Sequence, residues 1–178
     1  HPQWQAALRA ADLGQLKSLE DRFRHRVLAV FPKDAYSCSW AGANANFGYR
    51  LSELSEFERP LGHMTEARAL YVEALPRTSP DWHNSLRATN EHCCAEVVLR
   101  YGEVSGDRAA LDQSARLCEQ AIERDTSVKQ RALATLGAVR RRIAEHDRTL
   151  TACEAALATL QRAETDYTPE SGTLDWAL

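Results

Sequence analysis

The sequence has few of the β-branched aliphatic residues that buried strands require, since 8 Val and 2 Ile stand against 28 Ala and 21 Leu. This scarcity excludes all-β and parallel α/β architectures and favours helices. Long apolar runs are also missing, and none approaches the roughly 18 residues of a membrane span. Positive charge is in slight deficit, because 22 Lys and Arg residues face 25 Asp and Glu residues. We therefore expect neither a membrane nor a nucleic acid as a partner, since nucleic-acid-binding proteins are normally basic.

Cysteines are few and lack the paired spacing of a disulfide framework. The five are Cys38, Cys93, Cys94, Cys118 and Cys153. The opening residues have neither the basic segment nor the apolar core of a signal peptide. We expect free thiols and a reducing, cytoplasmic location.

Common catalytic motifs are also absent from the sequence. No Gly-x-Ser-x-Gly elbow occurs, and no glycine is followed by the Gly-Lys-Ser/Thr of a phosphate loop. We expect no enzyme activity and no cofactor.

Proline and glycine cluster at intervals, and between the clusters the apolar residues recur every three or four positions, which is helical spacing. The first two helices could be continuous, and the short connections predict that neighbouring helices pack antiparallel. The spacing predicts helices near residues 4–12, 14–30, 35–56, 64–76, 81–101, 108–124, 128–145 and 147–163.

One pattern recurs in alternate helices: a small residue, three spacers, an aromatic residue or Cys, two spacers, then Ala and an aliphatic residue. The three fuller copies are Ala67, Tyr71, Ala74, Leu75; Ser114, Cys118, Ala121, Ile122; and Thr149, Cys153, Ala156, Leu157. A weaker first copy is Leu19, Phe23, Arg26, Val27. Small residues let two helices approach closely, so we expect these positions, including both Cys118 and Cys153, to be buried.

The intervening helices carry apolar stripes that would pack against these copies. The three stripes are Trp40, Ala43, Phe47, Leu51, Leu54; Leu86, Asn90, Cys93, Val97, Tyr101; and Ala132, Leu136, Val139, Ile143. Neither helix of a pair can bury its stripe alone, so stacking of pairs must supply the core.

The pattern resembles the tetratricopeptide repeat, a family of stacked antiparallel helix pairs with about 34 residues per repeat. The resemblance is carried by the Thr-Glu-Ala-x-x-x-Tyr-x-x-Ala-Leu of residues 65–75 and by Leu136-Gly137. It covers most of residues 14–163, although two of the three spacings are longer than the standard repeat. It implies a right-handed all-α solenoid with a concave groove that binds peptides or proteins, usually without catalysis. We expect one repeat domain over residues 1–178, in which 164–178 begins a further pair or caps the last helix.

The sequence His92-Cys93-Cys94 contains metal-binding residue types, but three adjacent helical residues point about 100° apart and cannot chelate one ion together. We expect structural thiols on the apolar stripe and no metal site.

Three arginines of one helix are the first candidate binding residues: Arg131, Arg141 and Arg142. They share a face with the small residues Ala134 and Ala138, and the family resemblance implies that such a face lines the groove. Their guanidinium groups would bind an acidic segment or a chain-terminal carboxylate. The alternative is a solvated face with salt bridges to Glu145 and Asp147.

Asn90 and Asn44 are the second pair of candidates, because each lies among apolar positions. A buried amide must be hydrogen-bonded. Each would bind either a neighbouring backbone or the backbone of a bound peptide.

We expect a non-enzymatic scaffold module of a larger regulatory or signalling protein, with a protein or peptide as partner. The alternative is a sensor domain whose groove binds a small molecule or signalling peptide. An enzyme on a helical scaffold is the third possibility.

Overall fold

The computed structural model describes residues 2–31, 33–34, 37–58, 60–77 and 84–165. Within these ranges the chain forms helices and no strand, which confirms the all-α prediction. The described residues contain eight α-helices: α1 (Pro2–Arg9), α2 (Leu13–Arg22), α3 (Ser37–Leu54), α4 (Pro60–Ala74), α5 (Asn84–Ser105), α6 (Arg108–Arg124), α7 (Thr126–Asp147) and α8 (Leu150–Thr165).

The chain divides into two compact units, residues 1–82 and 83–178. A single repeat domain and its solenoid arrangement therefore stay predictions. The predicted tail lies outside the described residues from position 166 onward.

The first two helices are separate rather than continuous. Ala11 has a φ of 49°, which is incompatible with a continuing right-handed helix. Asp12 then caps α2, because its Oδ1 accepts a hydrogen bond of 2.9 Å from the Gln15 amide. The helix predicted over 14–30 also changes form, since α2 is followed by a π-helical turn (Phe23–Val27) and a 3₁₀ turn (Leu28–Val30).

The first unit is held by the predicted stripe of α3 together with the pattern residues of α4. Phe47 and Ala67 are fully buried and Tyr71 is nearly so, and α3 packs directly on α4. Phe23, in the weaker first copy, stacks on Phe47 with ring centroids 5.3 Å apart. A separate cluster contains Trp4, Ala7, Leu16 and Leu54.

In the second unit each helix packs on the next, and α5 also packs on α7. The connections have only one or two residues, so the consecutive helices run antiparallel, as predicted. The turn after α5 shows how such a short connection works. Gly106 adopts a φ of 70°, and the Asp107 carboxylate accepts hydrogen bonds from the amides of Ala109 and Ala110.

The stripe predicted for α5 is wrong in its orientation. Leu86 is 41% exposed and Cys93 is only half-buried, whereas Val97 is buried as expected. The buried face instead includes two polar residues, Glu91 and His92. Apolar spacing alone cannot predict this face, because its polar residues are buried through hydrogen bonds to neighbouring helices.

Glu91 is the buried carboxylate that fixes this face. It is 1% exposed. Its two oxygens accept hydrogen bonds from Arg87 Nε at 3.2 Å and Arg124 Nε at 2.9 Å. Arg124 belongs to α6, so the ion pairs join α5 to α6, and each carboxylate oxygen is satisfied.

Cys118 and Cys153 are not equivalent, which corrects the expectation that both are buried. Cys118 is fully buried on α6, whereas Cys153 is exposed on α8. The reason is that α8 packs on α7, and no later helix among the described residues covers its other side. None of the five cysteines, all of which lie among the described residues, forms a disulfide bond.

Ala121 lies at a tight contact in the second unit. It is fully buried in a cluster with Ala88, Val128 and Ala132, which come from α5 and α7. A larger side chain at this point must displace helices on two sides.

Ala121→Leu should therefore lower the free energy of unfolding by about 1–3 kcal/mol, because the added methyl groups overpack this contact. Urea denaturation followed by circular dichroism measures the effect. Ala109→Leu, on the exposed side of the same helix, is the matched control and should be close to neutral. Equal stability of the two variants would contradict the assignment of Ala121 to the close-packed alanine position of the recurring pattern.

Candidate functional site

Helices α6, α7 and α8 line a groove of about 360 Å³ in the second unit, and the groove is open to solvent on one side. Its lining residues are Glu119, Ile122, Glu123, Leu133, Leu136, Arg140, Ala158, Thr159 and Arg162. Leu133 and Leu136 are buried and form an apolar base. The charged residues are two glutamates from α6 and one arginine each from α7 and α8, so the α6–α8 groove combines apolar and ionic contacts.

Arg140 is the best-positioned charged group of the α6–α8 groove. Its Nη1 donates a hydrogen bond of 2.6 Å to Thr159 Oγ1, and its Nη2 donates one of 2.9 Å to Glu119 Oε1. The Thr159 hydroxyl donates in turn to the Ala155 carbonyl at 2.8 Å. Arg140 thus connects three helices, and these bonds hold its guanidinium in one orientation.

Arg162 reaches the same groove from α8 and is exposed. An exposed guanidinium beside an apolar base can bind the carboxylate of a ligand whose apolar side chain occupies that base. The groove therefore has the chemistry of a recognition site for an amphipathic segment.

The three arginines predicted as binding residues do not line the α6–α8 groove. Since a helix turns about 100° per residue, Arg131 lies on the opposite side of α7 from Arg140. Arg142 donates to Glu103 at 2.6 Å and to Glu145 at 2.8 Å.

Ion pairing accounts for much of this arginine face. The hydrogen bond from Arg142 lowers the pKa of the Glu145 carboxyl, with a smaller contribution from the charge of Arg141. Arg141 is exposed, with its Nε 3.8 Å from Glu145. Asp147 instead pairs with Arg108. Glu145 is thus part of the solvated charged face, whereas the predicted binding role of the arginines stays a prediction.

The two asparagines belong to different units. Asn44 is buried in α3, and its Nδ2 donates a hydrogen bond of 2.8 Å to the Trp40 carbonyl of the same helix. Asn44 therefore binds a neighbouring backbone, which was one of the two expectations for it. Asn90 is half-buried on α5 and does not line the α6–α8 groove.

Another group of polar side chains lies on α5, where His92, Cys93 and Glu96 converge. One potential ligand atom from each lies within 4.8 Å of the others. Burial lowers the pKa of His92, the charge of Glu96 raises it, and the charge of Arg131 lowers it further. His92 Nε2 is also within hydrogen-bond distance, 3.1 Å, of Thr135 Oγ1 on α7. These three donor types could hold a metal ion.

A third polar site is the cavity of about 330 Å³ in the first unit. Its cationic side chains pair with carboxylates, as Arg140 does in the α6–α8 groove: Lys17 pairs with Glu58 at 2.6 Å, and Arg24 pairs with Glu66 and Glu20. Unlike the α6–α8 groove, this cavity has no buried apolar base. It is therefore the weaker candidate for binding a partner.

Sequence reasoning missed Arg140, Arg162 and Glu96. A signal for Arg140 was present, because it follows Leu133 and Leu136 at helical spacing and so continues their face. Arg162 could not be found in this way, since the groove brings it from a different helix.

In comparisons with known proteins, no family model, no curated protein and no solved structure matches this chain. None of the helices in the described part of the chain combines the length and apolar character needed to cross a membrane. The assignment of function therefore depends on the geometry of the site.

The thiols provide a direct test of the burial pattern. Burial raises the pKa of the Cys118 thiol to about 12, with a smaller contribution from the nearby Glu96 charge. Cys118 should therefore contain almost no thiolate at pH 8 and should resist iodoacetamide, whereas the exposed Cys153 should react fastest. Mass spectrometry of peptides from timed reactions measures both rates. Cys153→Ser should remove the fast phase, and rapid modification of folded Cys118 would contradict the packing.

Proposed function

We propose that this chain is a non-enzymatic protein- or peptide-binding module of the tetratricopeptide-like class, and that the α6–α8 groove is its binding surface. The packing of α5 on both α6 and α7 supports the tetratricopeptide-like class, because stacked helix pairs contact the next pair as well as their own partner. The burial of Ala74, Ala121 and Ala156 at the same place in the recurring pattern supports it too.

The observation that carries the proposal is the combination of an apolar base with an oriented guanidinium. Ile122 and Ala158 are only partly covered and offer apolar surface in the groove. Arg140 is held by Glu119 and Thr159 before any partner arrives. A positioned charged group loses less conformational freedom on binding than a mobile one does. The fitting partner is a segment with an apolar side chain next to an acidic residue or a chain-terminal carboxylate.

The arginine face on the other side of α7 has a secondary role in this proposal. Arg131 and Arg141 are exposed, so their charge extends into solvent. Such a patch would attract an acidic partner from a distance on an otherwise acidic chain. The effect would weaken with salt, because charges are screened over about 8–10 Å near physiological ionic strength.

A second candidate function is a sensor domain that binds a small molecule. The volume of the α6–α8 groove, about 360 Å³, favours this alternative, since it falls within the roughly 300–1,000 Å³ that is typical of small-molecule sites. The solvent-open side of the groove favours the peptide, which can extend beyond it. Five cysteines without a disulfide bond are consistent with a reducing compartment such as the cytoplasm for either function.

Arg162→Ala tests the groove directly. Because Arg162 is exposed, the fold should persist, while affinity for acidic-apolar peptides should fall roughly ten- to a hundredfold with the loss of a charged hydrogen bond. Fluorescence anisotropy against peptides with acidic, amidated and basic ends measures the change. Arg116→Ala, an exposed arginine of α6 outside the groove, is the matched control. Equal affinities of the two variants, or a preference for basic peptides, would contradict the proposal.

The arginine face has its own test. The Arg131→Ala and Arg141→Ala double variant should slow association with an acidic peptide at low salt and leave dissociation nearly unchanged, because it removes long-range attraction. Stopped-flow mixing at two salt concentrations separates the rates. An association rate that is independent of both the variant and the salt would leave these arginines as solvated surface.

A further inference from the structure

Three side chains of α5 with metal-binding atoms converge outside the α6–α8 groove. They are the imidazole of His92, the thiol of Cys93 and the carboxylate of Glu96. Glu96 lies four residues after His92 and three after Cys93, and helical side chains lean toward the N-terminus. Its carboxylate is therefore brought back over both of the earlier residues, and its Oε1 lies 3.9 Å from His92 Nε2.

We propose that His92, Cys93 and Glu96 bind one Zn²⁺ ion. Zinc accepts nitrogen, thiolate sulfur and carboxylate oxygen together, and three protein ligands with one open position form a common site. Zinc bonds to nitrogen and oxygen are about 2.1 Å long, so two donor atoms spanning one ion lie within about 4.2 Å of each other. The observed separation of Nε2 and Oε1, 3.9 Å, falls within that limit, and the Cys93 sulfur lies within 4.8 Å of a donor atom of each of the other two residues.

The third donor, Glu96, lies outside the adjacent residues of the sequence motif. Cys94 is buried and is not one of the three converging residues. The chelate instead uses two neighbouring residues and one residue a helical turn later. That spacing places all three donors above the same turn of α5.

Charge balance favours a doubly charged cation at this position. A Cys93 thiolate and the Glu96 carboxylate supply two negative charges, which match those of the ion. Arg131, whose positive charge acts on His92, would then face a neutral site. A proton or a monovalent cation would leave this balance incomplete.

The proposed site has one buried ligand, His92, and one ligand that faces solvent, Glu96. His92 is 4% exposed, and its Nε2 lies 3.1 Å from Thr135 Oγ1, a contact that is given up when the same nitrogen binds the ion. The Glu96 side chain is 41% exposed, so an ion can enter from solvent.

Cobalt(II) is the probe, because it occupies zinc sites and reports a bound thiolate through a charge-transfer absorption band. The full chain, kept reduced without added thiols, is titrated with Co²⁺ and then with Zn²⁺. We expect one Co²⁺ per chain, a thiolate band that saturates at that ratio, and loss of the band when Zn²⁺ displaces cobalt. Absence of the thiolate band would overturn the proposal.

Matched variants identify the ligands. Cys93→Ser should abolish the band, whereas Cys153→Ser, which removes the exposed thiol of α8, should retain it. Circular dichroism verifies that each variant keeps its helix content. Glu96→Gln changes a partly exposed side chain and should weaken Co²⁺ binding at least tenfold. A band that survives Cys93→Ser, or an affinity unchanged by Glu96→Gln, would refute the site even if one variant failed to fold.

Discussion

Close approach of helices at buried alanines is the constraint on which both units depend. Ala67 is fully buried in the first unit, and Ala88, Ala121 and Ala132 are fully buried in the second. A small side chain lets neighbouring backbones come near, so the larger residues beside it make more contacts. Because each helix has only a narrow apolar stripe, this closeness compensates for the modest area that any one helix can bury.

Charged hydrogen bonds add direction to these non-directional contacts. Glu91 accepts from Arg87 of its own helix and from Arg124 of α6. Arg140 connects its own helix to α6 through Glu119 and to α8 through Thr159. Alanine seams alone would tolerate sliding of one helix along another, whereas these bonds are satisfied in a single register.

Helix α7 takes part in both proposed sites because its two sides meet different neighbours. On one side Leu133, Leu136 and Arg140 line the α6–α8 groove. On the other, Thr135 contacts His92 of α5 at 3.1 Å. The proposed zinc ion and the proposed peptide would therefore bind on separate sides of one helix.

The sequence by itself determined the helices and most buried small positions, because helical spacing and turn residues such as Gly106 and Asp107 act locally. Only the tertiary structure decided which face of α5 is buried, since burial of Glu91 requires arginines from two helices. It alone also decided the exposure of Cys153, which follows from the absence of a covering helix in the described residues. The groove depends in the same way on which helices become neighbours. Periodicity describes one helix at a time, and cannot specify the partners that satisfy a buried charge.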